Sequence, residues 1–274
     1  MNTNISVIIP LYNKEVIIKR TVMSVLSQSF QDYELIIVND GSTDGSMDVV
    51  RSIHDDRIII VEQENGGPSK ARNAGVVNSH GEWILFLDAD DELLPGALGV
   101  FARCITEHPE ANLIACPFYS ENGTSRVLKY PHSDGWLRNP YKANFLNQFN
   151  IRTGSFICKK KLAEAHPFRD YLRRYEDFEA WFRIFKNAYI YICSVPSMVE
   201  NSSFAEASQR RNDIKEDFVG HLDFKGKSFW EYMCLYKLYL GERPYYKDDI
   251  NKLYPFLKYR YDLILLCKIL SFLR

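Results

Sequence analysis

Three carboxylates in four positions, Asp88-Ala89-Asp90-Asp91, follow directly on the apolar run Ile84-Leu85-Phe86-Leu87. Negative charge that dense is costly to hold together unless a cation or a donor-rich ligand shares it. Carboxylate oxygens suit Mg²⁺ or Mn²⁺, which in turn hold phosphates. In an extended segment, alternation sets Asp88 and Asp90 on one side; the competing role, plausible for Asp91 and Glu92, is charge at the start of a helix. A second acidic group, Tyr175-Glu176-Asp177-Phe178-Glu179, precedes an amphipathic stretch. It serves either as helix N-terminal charge or as a general base toward an acceptor hydroxyl. Asp40 ends another apolar run and begins Asp-Gly-Ser-Thr, either as a turn former or as an acceptor for ring N–H or ribose hydroxyl groups. The stretch from Asn65 to Gly75 supplies glycines, a helix start, Lys70 and Arg72. That combination suits a pyrophosphate, or is a solvated basic helix start. No Gly-Lys-Ser/Thr closes it, and no Gly-x-Gly-x-x-Gly follows the first apolar run, so neither a Walker loop nor a dinucleotide fingerprint is present. The six histidines are scattered without ligand spacing.

These groups need strand ends and helix starts to hold them. Residues 5–9, 35–38, 58–61 and 83–87 are short β-branched or apolar runs that read as buried strands. Between them, Val16, Val22, Val25 and Leu26 form a helical stripe, a helix follows from about Ser46, and another covers 71–77. Glycines at 41 and 45 permit a tight turn after Asp40. Short-spaced strand–helix alternation predicts an α/β fold, a mostly parallel sheet covered by helices on both faces, with ligands at the carboxyl ends of its strands. Farther on, Leu98, Phe101, Ala102 and Ile105 mark a helix, 113–118 a strand, 121–124 a hairpin turn, 155–158 a strand, 177–185 a helix and 189–195 a strand. Beyond residue 206 the pattern is mainly helical.

Length and composition fit this scheme: 274 residues with 46% hydrophobic content hold one large domain with an appendage. A net charge of -1 gives no global pull toward nucleic acid. Six cysteines without a CxxC pair (Cys104, Cys116, Cys158, Cys193, Cys234 and Cys267) read as buried free thiols of a reducing compartment. No secretory signal opens the chain, so the expected location is the cytoplasm or the inner face of the membrane.

Taken together, Val7-Ile8-Ile9-Pro10-Leu11-Tyr12-Asn13, Glu34 through Asp44 (with Asn39-Asp40-Gly41-Ser42), Asn65-Gly66-Gly67, Ala71-Arg72-Asn73-Ala74-Gly75 and Phe86 through Asp91 resemble the family-2 glycosyltransferases and their GT-A fold. A weaker continuation runs through Thr153-Gly154-Ser155-Phe156 and Tyr175-Glu176-Asp177. The resemblance implies a mixed, mostly parallel GT-A sheet over 1–205, divided into a nucleotide-binding half (1–95) and an acceptor half (96–205), with a helical extension at 206–274. It implies an inverting transfer of one sugar from a nucleotide-diphosphate sugar, usually UDP-linked, to a glycan or lipid-linked glycan acceptor. In that scheme Pro10 and Tyr12 line the nucleobase pocket and Asp40 binds the base. Asn13, Asn65, Gly67 and Ala89 complete the donor site. Arg72 sits by the diphosphate or base, and Asp88 reaches the ribose or sugar. Asp90 ligates Mn²⁺ or Mg²⁺, and Asp177 deprotonates the acceptor, with Glu176 the competing base.

The chain departs from the family pattern in two places. It has no Gln-x-x-Arg-Trp, which argues for single transfer over processive synthesis. Met198-Val199-Glu200-Asn201-Ser202-Ser203 stands where many non-processive members carry Tyr-Arg-x-His, so a contact to metal or diphosphate is missing or comes from Arg210 or Arg211. The last 21 residues mix aromatic, aliphatic and basic side chains, suiting either an interfacial membrane helix or a helix packed on the domain or in a homodimer. Two other functions stay open on sequence alone: a catalytically silent nucleotide-sugar-binding module, and a sugar nucleotidyltransferase. For the latter, Tyr12-Asn13-Lys14-Glu15 is a poor match to the required glycine- and lysine-rich loop.

Overall fold

β-Branched residues concentrate in the strands that are covered on both faces. In a computed structural model, which describes residues 4–201, 213–257, 260 and 262–266, β1 (Ile5–Leu11), β2 (Tyr33–Asp40), β3 (Ile58–Gln63) and β4 (Trp83–Phe86) run parallel in the order β3-β2-β1-β4. β1, β2 and β4 are nearly continuous in burial, whereas β3 at the edge leaves Ile60 exposed. Their connections are α1 (Ile18–Leu26), α2 (Ser46–Arg51) and α3 (Pro68–Val77). The buried stripe of α1 is Ile18, Thr21, Val22 and Val25. Val16, expected to belong to it, is 90% exposed, because the chain is still turning ahead of the helix there. α3 starts three residues before the expected 71. Pro68 opens the helix at a position where a backbone N–H would be unpaired anyway. Its Gly75 lies against β1 so closely that a Cβ would sit 2.3 Å from Ile8 Cγ2.

The chain from Glu92 to Asn201 is less regular. β5 (Glu92–Leu93) follows the acidic turn, and α4 (Ala97–Glu107) starts after Gly96 in the left-handed region. Asp91 and Glu92 therefore do not cap that helix. The strand expected over 113–118 is two strands, β6 (Leu113–Ala115) and β7 (Phe118–Glu121), in different sheets. Pro117, which has no N–H to continue a ladder, lies at the break. β7 and β8 (Arg126–Lys129) form the expected hairpin, its turn tied by Asn122 Oδ1 accepting the Thr124 and Ser125 N–H groups at 3.2 and 2.9 Å. β9 (Gly135–Leu137), α5 (Pro140–Phe145), β10 (Phe156–Lys159), α6 (Lys160–Ala165), α7 (Glu176–Ile184), β11 (Ile190–Ile192) and β12 (Met198–Asn201) follow.

The main sheet has the order β3-β2-β1-β4-β10-β6-β11-β9, and its parallel half ends where β10 pairs antiparallel with β4. A second sheet, β5-β12-β7-β8, stands beside the acidic turn. The architecture is the expected mixed α/β sheet flanked by helices. In the C-terminal extension, α8 (Phe229–Glu242), started by a Ser228/Glu231 capping box, precedes α9 (Lys247–Leu253). Met233, Leu235, Tyr236 and Tyr239 of α8 join the same apolar cluster as Ile8, Phe156 and Trp181, so the extension shares the domain's core. Cys104, Cys116, Cys158, Cys193 and Cys234 are buried free thiols as expected, and Cys267 lies outside the described residues. Among the described residues no helix is long and apolar enough to cross a membrane. Of the tail at 254–274, Tyr254, Leu257 and Leu263 are buried in the domain's apolar cluster, while 258–259, 261 and 267–274 lie outside the described residues.

Candidate active site

β4 delivers the acids to the carboxyl end of the sheet, and the chain then turns. The Asp91 N–H donates to the Asp88 carbonyl at 3.0 Å, so the segment is not extended and strand alternation does not align Asp88 with Asp90. Asp88 and Asp90 instead each have their own cation. Arg72 Nη2 donates to Asp88 Oδ1 at 2.8 Å, and Thr153 Oγ1 to Asp88 Oδ2 at 2.7 Å. Lys14 Nζ donates to Asp90 Oδ2 at 2.8 Å. Between them Ala89 is buried, its carbonyl accepting from Thr21 Oγ1 at 2.9 Å. β12 braces the turn from behind: the Asn201 N–H donates to Asp91 Oδ1 at 2.8 Å and Asn201 Nδ2 to the Asp90 carbonyl at 2.7 Å. This is the use to which Met198–Asn201 is put; Ser202, Ser203, Arg210 and Arg211 lie outside the described residues.

Those surroundings divide the three acids electrostatically. Burial alone would raise Asp88, but the Arg72 charge and the hydrogen bonds from Arg72 and Thr153 hold its carboxyl below the usual range. Burial raises Asp90 despite the Lys14 hydrogen bond, with Asp88 adding repulsion. Asp91, 5% exposed, is pushed well up by burial and by Asp88. No three His, Cys, Asp or Glu side chains converge as a metal cage among the described residues. A divalent cation here would therefore share one or two carboxylates with substrate phosphates, the usual arrangement for Mg²⁺. The Lys14 ammonium on Asp90 marks a place where positive charge is accommodated, so the residues fit such an ion.

On the other side of β1, Asp40 is 2% exposed at the end of β2. Its Oδ1 accepts from Gln63 Nε2 at 2.6 Å and from the Gly66 N–H at 2.8 Å, and its Oδ2 from the Gly67 N–H at 2.8 Å. Asn65 Nδ2 donates to the Asp40 carbonyl at 3.0 Å. Gly67 has φ +87°, a conformation that permits both its N–H bond and the start of α3. Gly41 is likewise left-handed at φ +70°, whereas Gly45 has φ -74° and needs no glycine freedom. Pro10 is half-buried in β1 opposite Val38, and Tyr12 is 47% exposed beyond it. Asn13 points into the neighbouring loop, its Oδ1 accepting the Thr43 N–H at 2.8 Å.

Arg72 joins this half to the other. Besides Asp88, it donates through Nη1 to Glu176 Oε1 at 3.1 Å, and the guanidinium lies over the Phe168 ring. Its place is between two acids, and with a side chain 5% exposed it acts as a buried strut. Burial and the adjacent Asp177 raise the Glu176 carboxyl, against the pull of Arg72. Asp177 stands beside it at the start of α7, half-exposed, with Oδ1 accepting the Phe178 N–H at 2.7 Å and no ion pair among the described residues. Arg152 Nε donates to Glu200 Oε1 nearby at 3.0 Å. Removing Arg72 leaves two acids without their charge, so Arg72→Met should cost about 3–5 kcal/mol in a urea melt. Because an acid raised in the folded state favours the fold when neutral, stability is lost as pH rises through its folded value. The deficit of Arg72→Met should accordingly be larger at pH 8 than at pH 5.

Lys14, Gln63, Thr153 and Asn201 were not legible as site residues. Thr153 and Asn201 stood in segments that the family pattern picks out, but all four matter through partners distant in sequence.

A parallel sheet carrying acids at its carboxyl ends, continued by strands of mixed direction, has the form of a nucleotide-sugar glycosyltransferase of GT-A fold. Residues 6–175 match the family model for glycosyl transferase family 2, more than half of the chain, and the protein belongs to that family. It is 28% identical over 266 residues to the uncharacterized glycosyltransferase EpsJ of Bacillus subtilis, covering 85% of this chain and 76% of that one. It is 30% identical over 204 residues to the GalNAc(5)-diNAcBac-PP-undecaprenol beta-1,3-glucosyltransferase of Campylobacter jejuni, covering 69% of this chain and 62% of that one. Among solved structures, S. aureus TarS 1-349 in complex with UDP-GlcNAc superposes with a TM-score of 0.75 at 20% identity, covering 94% of this chain and 77% of that one. Its complex with UDP gives 0.69 at 21% identity, covering 91% and 75%.

Proposed function

We propose that this chain is an inverting, metal-dependent glycosyltransferase that moves one sugar from a UDP-sugar to a hydroxyl of a glycan or lipid-linked glycan in cell-surface polysaccharide synthesis. The observation that carries it is the buried Arg72, which ties Asp88 on the donor side to Glu176 beside Asp177 on the acceptor side. Asp40 has three of its roughly four lone-pair sites taken by Gln63, Gly66 and Gly67, leaving one to accept a base N–H. Pro10 and Tyr12 flank that position, and Asn65 and Gly67 shape its floor. Asp88, ionised and fixed by Arg72 and Thr153, accepts from ribose or sugar hydroxyls. Asp90 would help hold Mn²⁺ or Mg²⁺ beside the donor phosphates, where such an ion would supply charge neutralisation for the leaving diphosphate.

Asp177 takes the proton from the acceptor hydroxyl as that oxygen attacks the anomeric carbon. The C–O bond to the diphosphate breaks on the opposite face, which inverts the configuration. Asp177 is preferred to Glu176 because Glu176 is already committed to Arg72. The UDP donor is supported by fold likeness to a protein solved with UDP and UDP-GlcNAc, and the lipid-linked acceptor by the printed name of the Campylobacter relative. Calorimetry with UDP, GDP and dTDP, each with and without Mn²⁺, tests the donor class. Mn²⁺-dependent binding of UDP alone is the expected result; binding of none of the three would overturn the reading.

A further inference from the structure

Immediately before Glu176 and Asp177, the chain is fastened to the C-terminal extension by a dense buried network. Arg174 Nη1 donates to Asp217 Oδ2 at 2.9 Å and to Glu242 Oε2 at 2.7 Å, and its Nη2 to Glu242 Oε1 at 2.8 Å and to the Tyr175 hydroxyl oxygen at 3.1 Å. The Tyr175 hydroxyl donates in turn to Glu242 Oε1 at 2.8 Å. Tyr246 donates its hydroxyl to Asp217 Oδ2 at 3.0 Å. The backbone joins in, with the Arg173 N–H bonded to the Glu216 carbonyl at 2.7 Å and the Phe218 N–H to the Arg174 carbonyl at 3.2 Å. Glu242 is 4% and Asp217 1% exposed.

Tyr175, held at both ring and hydroxyl, has φ +57°, in the left-handed region that an aromatic residue adopts only when its surroundings impose it. That residue sets the direction in which α7 departs and so where the next two carboxylates point. Glu242, in the last turn of α8, supplies the network's bidentate carboxylate and lies far beyond the segment that matches the family model.

We infer that Glu242 is a positioning residue for the acceptor-side carboxylates: through Arg174 and Tyr175 it fixes the left-handed turn that aims Asp177. The inference rests on the proposed role of Asp177 as base. It assigns the C-terminal extension a part in the chemistry, through geometry, without contact to substrate. Removing the Glu242 charge or the Tyr175 hydroxyl frees the turn to relax toward an ordinary conformation, while Asp40 keeps the bonds it accepts from Gln63 and from the Gly66 and Gly67 amides.

Hydrogen–deuterium exchange on the full chain tests this with Glu242→Gln and Tyr175→Phe. Exchange at the amides of 175–178 should rise about ten-fold in either variant, with exchange across Ile5–Leu11 unchanged. Turnover is followed as UDP released into water from whichever of UDP-N-acetylglucosamine, UDP-glucose and UDP-galactose the wild type hydrolyses. The kcat should fall roughly 10- to 100-fold with the donor KM unchanged. Tyr175→Phe keeps the buried charges paired, so it serves where Glu242→Gln folds poorly. Unchanged exchange at 175–178 in the folded variants, or a loss of donor affinity matching the loss of kcat, would overturn the inference. Full UDP release by Asp177→Asn would instead remove the base reading and leave the exchange result standing, so the two failures are distinguishable.

Discussion

Asp177→Asn is expected to bind UDP with wild-type affinity and to transfer sugar with a kcat lowered roughly 10²- to 10⁴-fold, the range over which a positioned base contributes. The substitution is nearly isosteric, and the bond that Asp177 Oδ1 accepts from the Phe178 N–H can be kept by the amide oxygen. What disappears is the capacity to take a proton. Calorimetry with UDP and single-turnover product analysis separate the two effects. Glu176 provides the counter-case, because burial and Asp177 push its carboxyl up to about 7. A base works when deprotonated, so a kcat that climbs through about pH 7 in wild type and collapses in Glu176→Gln would transfer the role to Glu176. Retained climb and retained activity in Glu176→Gln leave it with Asp177.

The second large effect concerns Asp90. Asp90→Asn should weaken Mn²⁺-dependent UDP binding by roughly 10- to 100-fold, the value of one charge-assisted contact. Binding without metal, which in the proposed reading rests on Asp40 as held by the Gly66 and Gly67 amides, should be unaffected. Chelation of the metal by EDTA should reduce the wild type to the level of the variant and leave the variant unchanged. Equal UDP affinity for both proteins in Mn²⁺ would show that Asp90 keeps Lys14 as its sole cation partner and that diphosphate charge is met elsewhere.

The donor half was the legible half. Its strands are covered on both faces, so they appear as unbroken apolar runs, and each ends in an acid or a glycine whose chemistry is local. What failed there was conformation after a strand end: Asp88 to Asp91 turn instead of extending, because Asn201 and Thr153, far away in sequence, bond their carboxylates and carbonyls. The acceptor half was harder for a related reason. β7 and β8 are short and half-exposed, with no periodic signature, and a single apolar stretch supplies two sheets across Pro117. Lys14 and Glu242 could not be found from sequence, since each acquires its meaning from an acid or a guanidinium tens of residues away. Arg72 was found, but its part as a strut between Asp88 and Glu176 depends on a contact between elements 104 residues apart.

The sharing of one apolar cluster by Ile8 near the start and Tyr239 near the end of the described chain bears on the order in which the molecule is made. Synthesis releases the donor half first, and its parallel strands can pair as soon as β4 has left the ribosome. The faces that α5, α7 and α8 cover stay wet until those helices emerge. Because α8 follows α7 in the chain, the turn that carries Glu176 and Asp177 is fastened only after Glu242 has been made.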